Sequence, residues 1–464
     1  MHKLAIAISL CLAGCAVGPN YEEPKTAVAD QFTNSAAASY SPDEVQGQFW
    51  TAFNEPLLTK LVDQALATNK DLEIARANLR ASRAARGLTQ FDLFPSATAG
   101  GSRLKVKQSE HQLPGVPADQ REFDDVDAGF DASWELDFFG RVRRGVEAAR
   151  AQEQAAAAQL RDVQVSVTGE VARNFFVLRG LQDQLGVAIR NSENQKQTLS
   201  LTEARLDAGR GTELDTSRAT AQLQTTLASI PPLRSSIAAT IYRLSVLTGQ
   251  QPNALTAELD PVQPAPVLPQ LTAIGTPEAL LRRRPDIRVA ERQLAAATAR
   301  IGIAVGDLFP RVSFIGSVGY NSGTTSDLGN AASQTYTYGP TISWAALDLG
   351  RVRSRIGIAN AQADAALASY QSTVLLALEE TEGALVNYGL AQSRRETLEQ
   401  AAAASSKAAN LARQRFEGGL TDFLNVLDAE RDALSAQDSL AQSRTQTATS
   451  LIAVYKALGG GWTP

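Results

Sequence analysis

From Pro56 onward apolar residues recur at helical spacing, as Leu57, Leu61, Leu66, Leu72, Ala75 and Leu79. This predicts a helix opening at Pro56, where a missing N–H is harmless, and closing before Phe94-Pro95, because proline disfavours helical geometry at the preceding residue. Beyond Pro95 the period falls to two. Val126, Ala128, Phe130, Ala132, Trp134 and Leu136 alternate with Asp125, Asp127, Gly129, Asp131, Ser133 and Glu135, which predicts a β-hairpin over about 96–137 with its tip near 108–122. From Gly140 to about Ala208 no proline intervenes, and Val167, Val171, Phe175, Leu178, Leu181, Leu185 and Ile189 step by three or four. One helix on the order of 100 Å long is expected there. It ends at Gly209 and Gly211, and a returning helix reaches Gly249, with Pro231-Pro232 expected to kink or split it.

The same layout then repeats. Asp71 to Asp92-Leu93-Phe94-Pro95 is answered 215 positions later by Asp286 to Asp307-Leu308-Phe309-Pro310. Trp134 and Phe139-Gly140-Arg141-Val142-Arg143 are answered at offset 210 by Trp344 and Leu349-Gly350-Arg351-Val352-Arg353. Arg205-Leu206-Asp207-Ala208-Gly209 is answered, again 210 on, by Arg415-Phe416-Glu417-Gly418-Gly419. Two copies with so long a period make a duplicated domain, not a solenoid. The first repeat covers 56–250, with its helical hairpin at about 140–249. A Pro-rich linker at 251–275, not expected to be helical, leads to the second repeat at 276–458. That repeat has a helix opened by Thr276-Pro277, a β-hairpin at about 311–346 with its tip near 321–334, and a helical hairpin at about 350–458. Residues 459–464 form a tail.

The hairpins carry an unusual distribution. One strand face is apolar and aromatic, while the other is Asp, Glu, Ser and Thr. Such a sheet suits a membrane barrel around a wet lumen; a half-exposed sheet packed on helices is the alternative reading of these strands alone. Four strands cannot close a barrel, so a membrane-spanning reading requires several chains to pool their strands.

Composition sharpens the picture. Charged residues are 20% and aromatics 6%, leaving an Ala-, Gln- and Ser-rich remainder suited to long thin helices. A net charge of −5 offers no basic face for nucleic acid. Of the two histidines, His2 lies in the leader and His111 in a Pro-rich loop, so no histidine-based catalytic or metal centre is expected, and the chain does not read as an enzyme. Lys3, the apolar run from Leu4 to Leu12 and the small residues Ala13-Gly14 make 1–14 a signal peptide too short to span a bilayer. Leu12-Ala13-Gly14-Cys15 is similar to a lipoprotein lipobox, with Cys15 as the lipidated first residue of the mature chain. Ala16, in place of an Asp, implies the outer membrane. Residues 15–55 read as a lipid-anchored, irregular tether.

Cys15-Ala16-Val17-Gly18-Pro19-Asn20-Tyr21, Phe49-Trp50, Asn69-Lys70-Asp71-Leu72, Arg283-Arg284-Pro285-Asp286-Ile287, Asp307-Leu308-Phe309-Pro310, Leu349-Gly350-Arg351 and Leu458-Gly459-Gly460-Gly461-Trp462 together resemble the TolC-like outer-membrane efflux proteins. Within them they are closest in kind to the lipoprotein branch typified by OprM and the NodT group. The resemblance covers nearly all of the mature chain. It implies a mainly α fold with a membrane β-barrel part: a homotrimer pooling four strands per chain into a 12-stranded barrel, and helical hairpins forming a periplasmic α-barrel. It implies an exit channel in the outer membrane of a Gram-negative bacterium, passing drugs or other small solutes delivered by a periplasmic adaptor and an inner-membrane resistance-nodulation-division pump. No cofactor is implied beyond the lipid on Cys15. Type I protein secretion and a non-channel trimeric coiled-coil envelope lipoprotein are the competing readings.

The resemblance places a periplasmic gate at the helix tips, on Asp215, Asn425 and Asp428. Three-fold symmetry would turn each Asp into a ring favouring cations; capping of a helix by Thr212 and Asp215 is the local alternative. Asn425 and Thr421 depart from the family branch that closes its gate with two Asp and a basic partner. Helix–strand junctions are expected at Phe94, Pro95, Gly140 and Arg141, and at Phe309, Pro310, Gly350 and Arg351. The cluster Arg141, Arg143, Arg144, Arg351, Arg353 and Arg355 reads either as a contact for phospholipid headgroups or as ordinary solvated helix starts.

Overall fold

The computed structural model describes residues 16–33, 40–41, 43, 46–269 and 272–462. In chain order the first half forms β1 (Tyr40–Ser41), a 3-10 turn (Phe49–Phe53), α1 (Pro56–Thr68), α2 (Lys70–Phe91), β2 (Ser96–Lys107), β3 (Glu122–Leu136), α3 (Arg141–Asp207) and α4 (Glu213–Leu247). The second half forms α5 (Thr256–Leu259), β4 (Thr272–Ala273), α6 (Pro277–Arg283), α7 (Pro285–Gly306), β5 (Arg311–Ser322), two short 3-10 turns, β6 (Gln334–Ser343), α8 (Leu349–Glu417) and α9 (Phe423–Ala457).

The chain divides into two compact units. One comprises the described part of Met1–Lys25 with Asn78–Ala157 and Arg288–Ser372, and the other Thr26–Ala77, Ala158–Ile287 and Thr373–Pro464. In the first unit the strands make one antiparallel sheet in the order β2-β3-β5-β6. Its register sorts the side chains cleanly. Phe130 pairs with Val318 and Val318 with Tyr336; Trp134 pairs with Phe314; Leu136 pairs with Val312 and Val312 with Ile342. Because cross-strand partners share a face, these residues form one apolar surface. The opposite surface collects Thr98, Asp131, Ser317 and Thr337 in one row and Ser102, Asp127 and Asn321 in another.

The second unit holds the apolar core. Phe49, Leu58, Leu61, Leu72, Phe175, Leu178, Ile241, Leu244, Tyr388 and Leu451 are all fully buried there. Each such Leu or Phe contributes about 1.5–3 kcal/mol relative to exposure. The tether reading of 15–55 is corrected at this point. Phe49, Trp50 and Phe53 are core residues, Phe49 stacking on Tyr455 at 5.1 Å, and Tyr40–Ser41 pairs in parallel with Thr272–Ala273. Elements of two to five residues are too short to show a period, but their aromatics carry enough apolar area to fix them.

Three further expectations change. The helix expected from Pro56 to Phe94 is two helices, broken at Asn69, which is extended at φ −60, ψ 135. Its side-chain oxygen accepts from the N–H groups of Asp71 (2.9 Å) and Leu72 (3.2 Å), capping α2. Pro231-Pro232 does not split α4, which runs unbroken from Glu213 to Leu247. The carbonyls deprived of donors belong to Leu227 and Ala228, both on exposed residues where water can serve them. The linker 251–275 contains one helical turn, α5, pinned by buried Leu255 and Leu259, as well as β4.

The second copy breaks at the matching place. Arg284, also extended, separates α6 from α7, and its buried guanidinium donates to the Ala457 carbonyl (2.7 Å), Asp286 (2.8 Å) and Glu380 (2.7 Å). Burial opposes its charge, and hydrogen bonds and attraction from the two carboxylates outweigh that effect, holding it above the usual arginine range. Replacing it by alanine leaves the Ala457 carbonyl with only the Thr381 hydroxyl (3.3 Å), Asp286 with only the Ile287 N–H (2.9 Å) and Glu380 with only the more distant Lys456 (4.0 Å). Arg284→Ala is therefore expected to cost about 2–3 kcal/mol, less than the roughly 3–5 kcal/mol for breaking a fully buried pair, because both carboxylates keep solvent and a second partner. Arg284→Lys should recover only part of this, having lost the planar fork. Denaturant unfolding followed by circular dichroism checks both.

Candidate functional site

In the first unit, helices give way to strands at two matching joints. Phe94 and Pro95 lie between α2 and β2, and Phe309 and Pro310 between α7 and β5. Each joint is tied by a tryptophan at the far end of the adjoining hairpin. The indole N–H of Trp134 donates to the Leu93 carbonyl at 3.0 Å, and that of Trp344 to the Leu308 carbonyl, also at 3.0 Å. An exposed indole whose polar edge is satisfied by protein and whose ring faces outward suits a boundary between lipid and water. Phe139 stacks on Phe309 at 4.5 Å, joining the return from β3 to the end of α7.

The two return points differ. Gly140 has φ +79, a left-handed conformation only glycine adopts cheaply, and precedes α3. Gly350 lies inside the first turn of α8 and needs no such freedom. The arginines beside them are mostly paired. Arg141 bonds Glu135 (2.9 Å), Arg143 bonds Asp137 (3.2 Å), Arg351 bonds Asp348 (3.1 Å) and Arg355 bonds Asp307 (3.3 Å). Arg144 is buried; it bonds Glu147 (2.8 Å) and holds backbone carbonyls as well. The expected headgroup cluster is thus largely neutralised by its own carboxylates, and only Arg353 lacks a carboxylate partner among the described residues.

In the second unit the two helical hairpins turn through equivalent tips. At the end of α3 the Gly209 N–H bonds the Leu206 carbonyl (2.9 Å) and the Arg210 N–H that of Arg205 (2.8 Å); at the end of α8 Gly419 and Leu420 repeat this with Phe416 and Arg415 at 2.9 and 2.8 Å. Gly209 and Gly419 take the left-handed position, at φ +69 and +72, whereas Gly211 and Gly418 do not. Asp215 is half-buried. Its carboxylate accepts from the Thr212 hydroxyl (2.7 Å), whose oxygen in turn accepts from the Asp215 N–H (3.2 Å). Asn425 and Asp428 are exposed on α9, Asn425 donating to Thr421 at 2.8 Å. The structure therefore sets all three expected gate residues at hairpin tips, with Asp215 also engaged in capping.

Behind the tips lies a group that sequence reading missed. Glu430 is buried, accepting from the Thr198 hydroxyl (2.8 Å) and from Arg413 (2.6 Å). Asn191 donates to Gln437 (2.9 Å), which donates to Ser406 (2.9 Å). The partners Thr198 and Glu430, and Asn191 and Gln437, lie more than two hundred positions apart and leave no local signal, although the seven-residue spacings of 191 to 198 and 430 to 437 are visible afterwards.

Cys15 lies outside the described residues. Among the described residues no group of three or more His, Cys, Asp or Glu could hold a metal, and no helix is long and apolar enough to cross a membrane. The cap at Thr212 gives a local prediction: Thr212→Ala should weaken the first turn of α4 by about 1 kcal/mol. Asp422→Ala, at the matching position where the side chain makes no cap bond, should weaken α9 less. Amide exchange in the two first turns distinguishes them.

The chain is similar to known proteins over its whole length. The model of the outer membrane efflux protein family matches residues 61–250 and 276–460. The outer membrane protein OprJ of Pseudomonas aeruginosa is 30% identical over 459 residues, 99% of this chain and 95% of that protein. The toluene efflux pump outer membrane protein TtgI of Pseudomonas putida is 30% identical over 462 residues, 98% and 97% of the two. Among solved structures the outer-membrane channel OprN superposes with a TM-score of 0.91 at 44% identity, covering 97% of this chain and 100% of that one. The open state of the Neisseria gonorrhoeae MtrE outer membrane channel gives 0.84 at 28% identity, covering 97% and 99%. With both repeats matched by the family model and the fold shared with solved channels, the chain belongs to the outer membrane efflux protein family.

Proposed function

We propose that three copies of this outer-membrane efflux protein pool their four-stranded sheets into one closed barrel, the exit of a tripartite efflux system. The observation that carries this reading is the sheet itself. It exposes Phe130, Phe314, Val318, Tyr336, Tyr338 and Ile342 on one face, sets Asp127, Asp131, Ser317 and Thr337 on the other, and ends in unpaired edges at β2 and β6. Lipid accepts the first face and water the second. Lipid does not accept the edges, because an unpaired backbone group in hydrocarbon costs several kcal/mol. Joining β2 of one copy to β6 of the next removes every edge.

The long helices α3, α4, α8 and α9 would then wall a periplasmic conduit. A conduit of this kind supplies no driving force, so a periplasmic adaptor and an inner-membrane pump of the resistance-nodulation-division type complete the system. Cys15 carries the lipid anchor in the outer membrane. The solutes are drugs or other small molecules that the pump delivers. Asp215 and Asp428, repeated by three-fold symmetry, form carboxylate rings at the tips that narrow the path and favour cations.

Purified protein in a planar bilayer is expected to open ion channels, and lack of conductance would sink the channel reading. The double variant Asp215→Ala, Asp428→Ala should raise single-channel conductance and lower the preference for cations over anions. Conductance and selectivity both unchanged would remove the gate assignment while leaving the channel in place.

A further inference from the structure

The first residues after Cys15 do not behave as a leash. Arg144, 3% exposed at the start of α3, donates to the carbonyls of Val17 (3.1 Å) and Gly18 (3.1 Å) and to the Asn20 side chain (2.8 Å). The Val17 N–H donates to the Phe139 carbonyl at 3.0 Å. Space is as tight as the hydrogen bonding. A Cβ on Gly140 would lie 2.5 Å from the Cα of Ala16, one on Gly18 would lie 2.5 Å from the Cα of Gly302, and one on Gly302 would lie 2.7 Å from the Arg144 side chain. At the far end the Tyr21 hydroxyl donates to buried Glu291, Arg292 lies 5.3 Å over the Tyr21 ring, and that ring packs on Ala151, Ala295 and Ala296. Burial, reinforced by Glu291, holds the Tyr21 hydroxyl far above its usual range, so it stays a hydrogen-bond donor.

We propose that Ala16–Tyr21 is a rigid mount, keyed by Arg144, which plants the acyl chains of Cys15 in the bilayer leaflet at the end of β3. This rests on the reading of Cys15 as lipidated. Consecutive Cα atoms are about 3.8 Å apart, so the lipid leaves the protein beside Gly140, next to Phe139. The end of α2, which Trp134 ties to the end of β3 through the Leu93 carbonyl, and the turn before Gly140 expose Leu88, Phe91, Phe94, Trp134 and Phe138, apolar surface fitted to acyl chains and not to water. Arg144 is a positioning residue. Its guanidinium, held also by Glu147 (2.8 Å), presents five donors in a fixed planar fork, where a lysine would offer three on a flexible stem.

The test is made on the full protein in outer-membrane vesicles, with a photoactivatable fatty acid incorporated into its N-terminal lipid. Cross-links from the acyl chain should concentrate on peptides spanning 88–94 and 134–139. Arg144→Met should spread them and speed exchange of the Val17 amide about tenfold or more, as loss of a charge-assisted bond implies, while amides at the tips stay unchanged. If Arg144→Met fails to assemble, Asn20→Ala removes one acceptor of the clamp from an exposed position and should give a smaller change in the same direction. Cys15→Ser should keep Val17 protected, since every contact of the mount is made by protein. Absence of acyl mass on the wild-type N-terminal peptide would overturn the lipid reading, and the proposal with it. Acyl mass present with scattered cross-links, or Val17 exchange unchanged in both clamp variants or lost in Cys15→Ser, would overturn the mount alone.

Discussion

A sheet that lipid accepts on one face cannot leave its backbone unpaired at the edges, and the rest of this protein follows from that constraint. In water an exposed edge strand is a manageable liability; in hydrocarbon it is not. The antiparallel sheet here is only four strands wide and carries its edges at β2 and β6. The fold therefore specifies assembly before it specifies transport. The register adds a second demand, since Gly129 pairs with Gly319 and each occupies space where a Cβ would lie within 2.8 Å of the neighbouring strand's backbone. The two hairpins thus approach closely at their shared seam, where a glycine of β3 faces a glycine of β5.

Duplication also explains why the joints come in pairs whose chemistry differs. Asn69 and Arg284 occupy equivalent breaks, and each reaches the end of its own repeat's returning helix. Asn69 donates to the carbonyl of Leu247 and Arg284 to that of Ala457. The first joint is a neutral amide that also caps α2; the second is a buried cation held by two carboxylates. One geometric need, closing a helix break against a helix end, is met once by a small neutral side chain and once by a charge requiring compensation. The same holds at the returns from the sheet, where Gly140 needs a left-handed backbone and Gly350 does not. In the first repeat Ala16 packs on Gly140, and an N-terminal segment can occupy only one of two equivalent positions.

Much of this was legible in the sequence, and the reason is periodicity. The long helices, the strands and both helix–strand joints are announced by runs long enough to show a period of 3.6 or 2, and by Phe-Pro repeated 215 positions apart. The break at Asn69 was not legible, because one extended residue barely disturbs the helical spacing on either side. Phe49–Phe53 was hidden by its polar surroundings, although three aromatics in five residues were a signal of burial. The tips were placed by their glycines, but which glycine takes the left-handed position depends on hydrogen bonds that composition does not encode. Arg144 was read with its neighbours as a surface charge; its role is set by Val17 and Gly18, more than a hundred residues earlier.

The buried polar layers near the tips answer a problem that the Ala-rich composition creates. Helices whose contacts are mostly small residues can lie close together, but such surfaces are nearly interchangeable from one turn to the next, so packing alone specifies register weakly. Asn191 with Gln437 and Thr198 with Glu430 join α3 to α9 at two points seven residues apart; Ser406 with Gln437 and Arg413 with Glu430 join α8 to α9 at the same spacing. A shift of α8 by a residue would leave Glu430 buried without its cation, a cost of several kcal/mol, and a shift of α3 would take away its Thr198 donor. These layers therefore act as pins, in the way a single buried polar residue fixes the alignment of a coiled coil. The apolar core about Phe175 and Tyr388 supplies cohesion, and the polar layers supply alignment. Carboxylates at the tips can define an aperture only if the helices bearing them are held in one register.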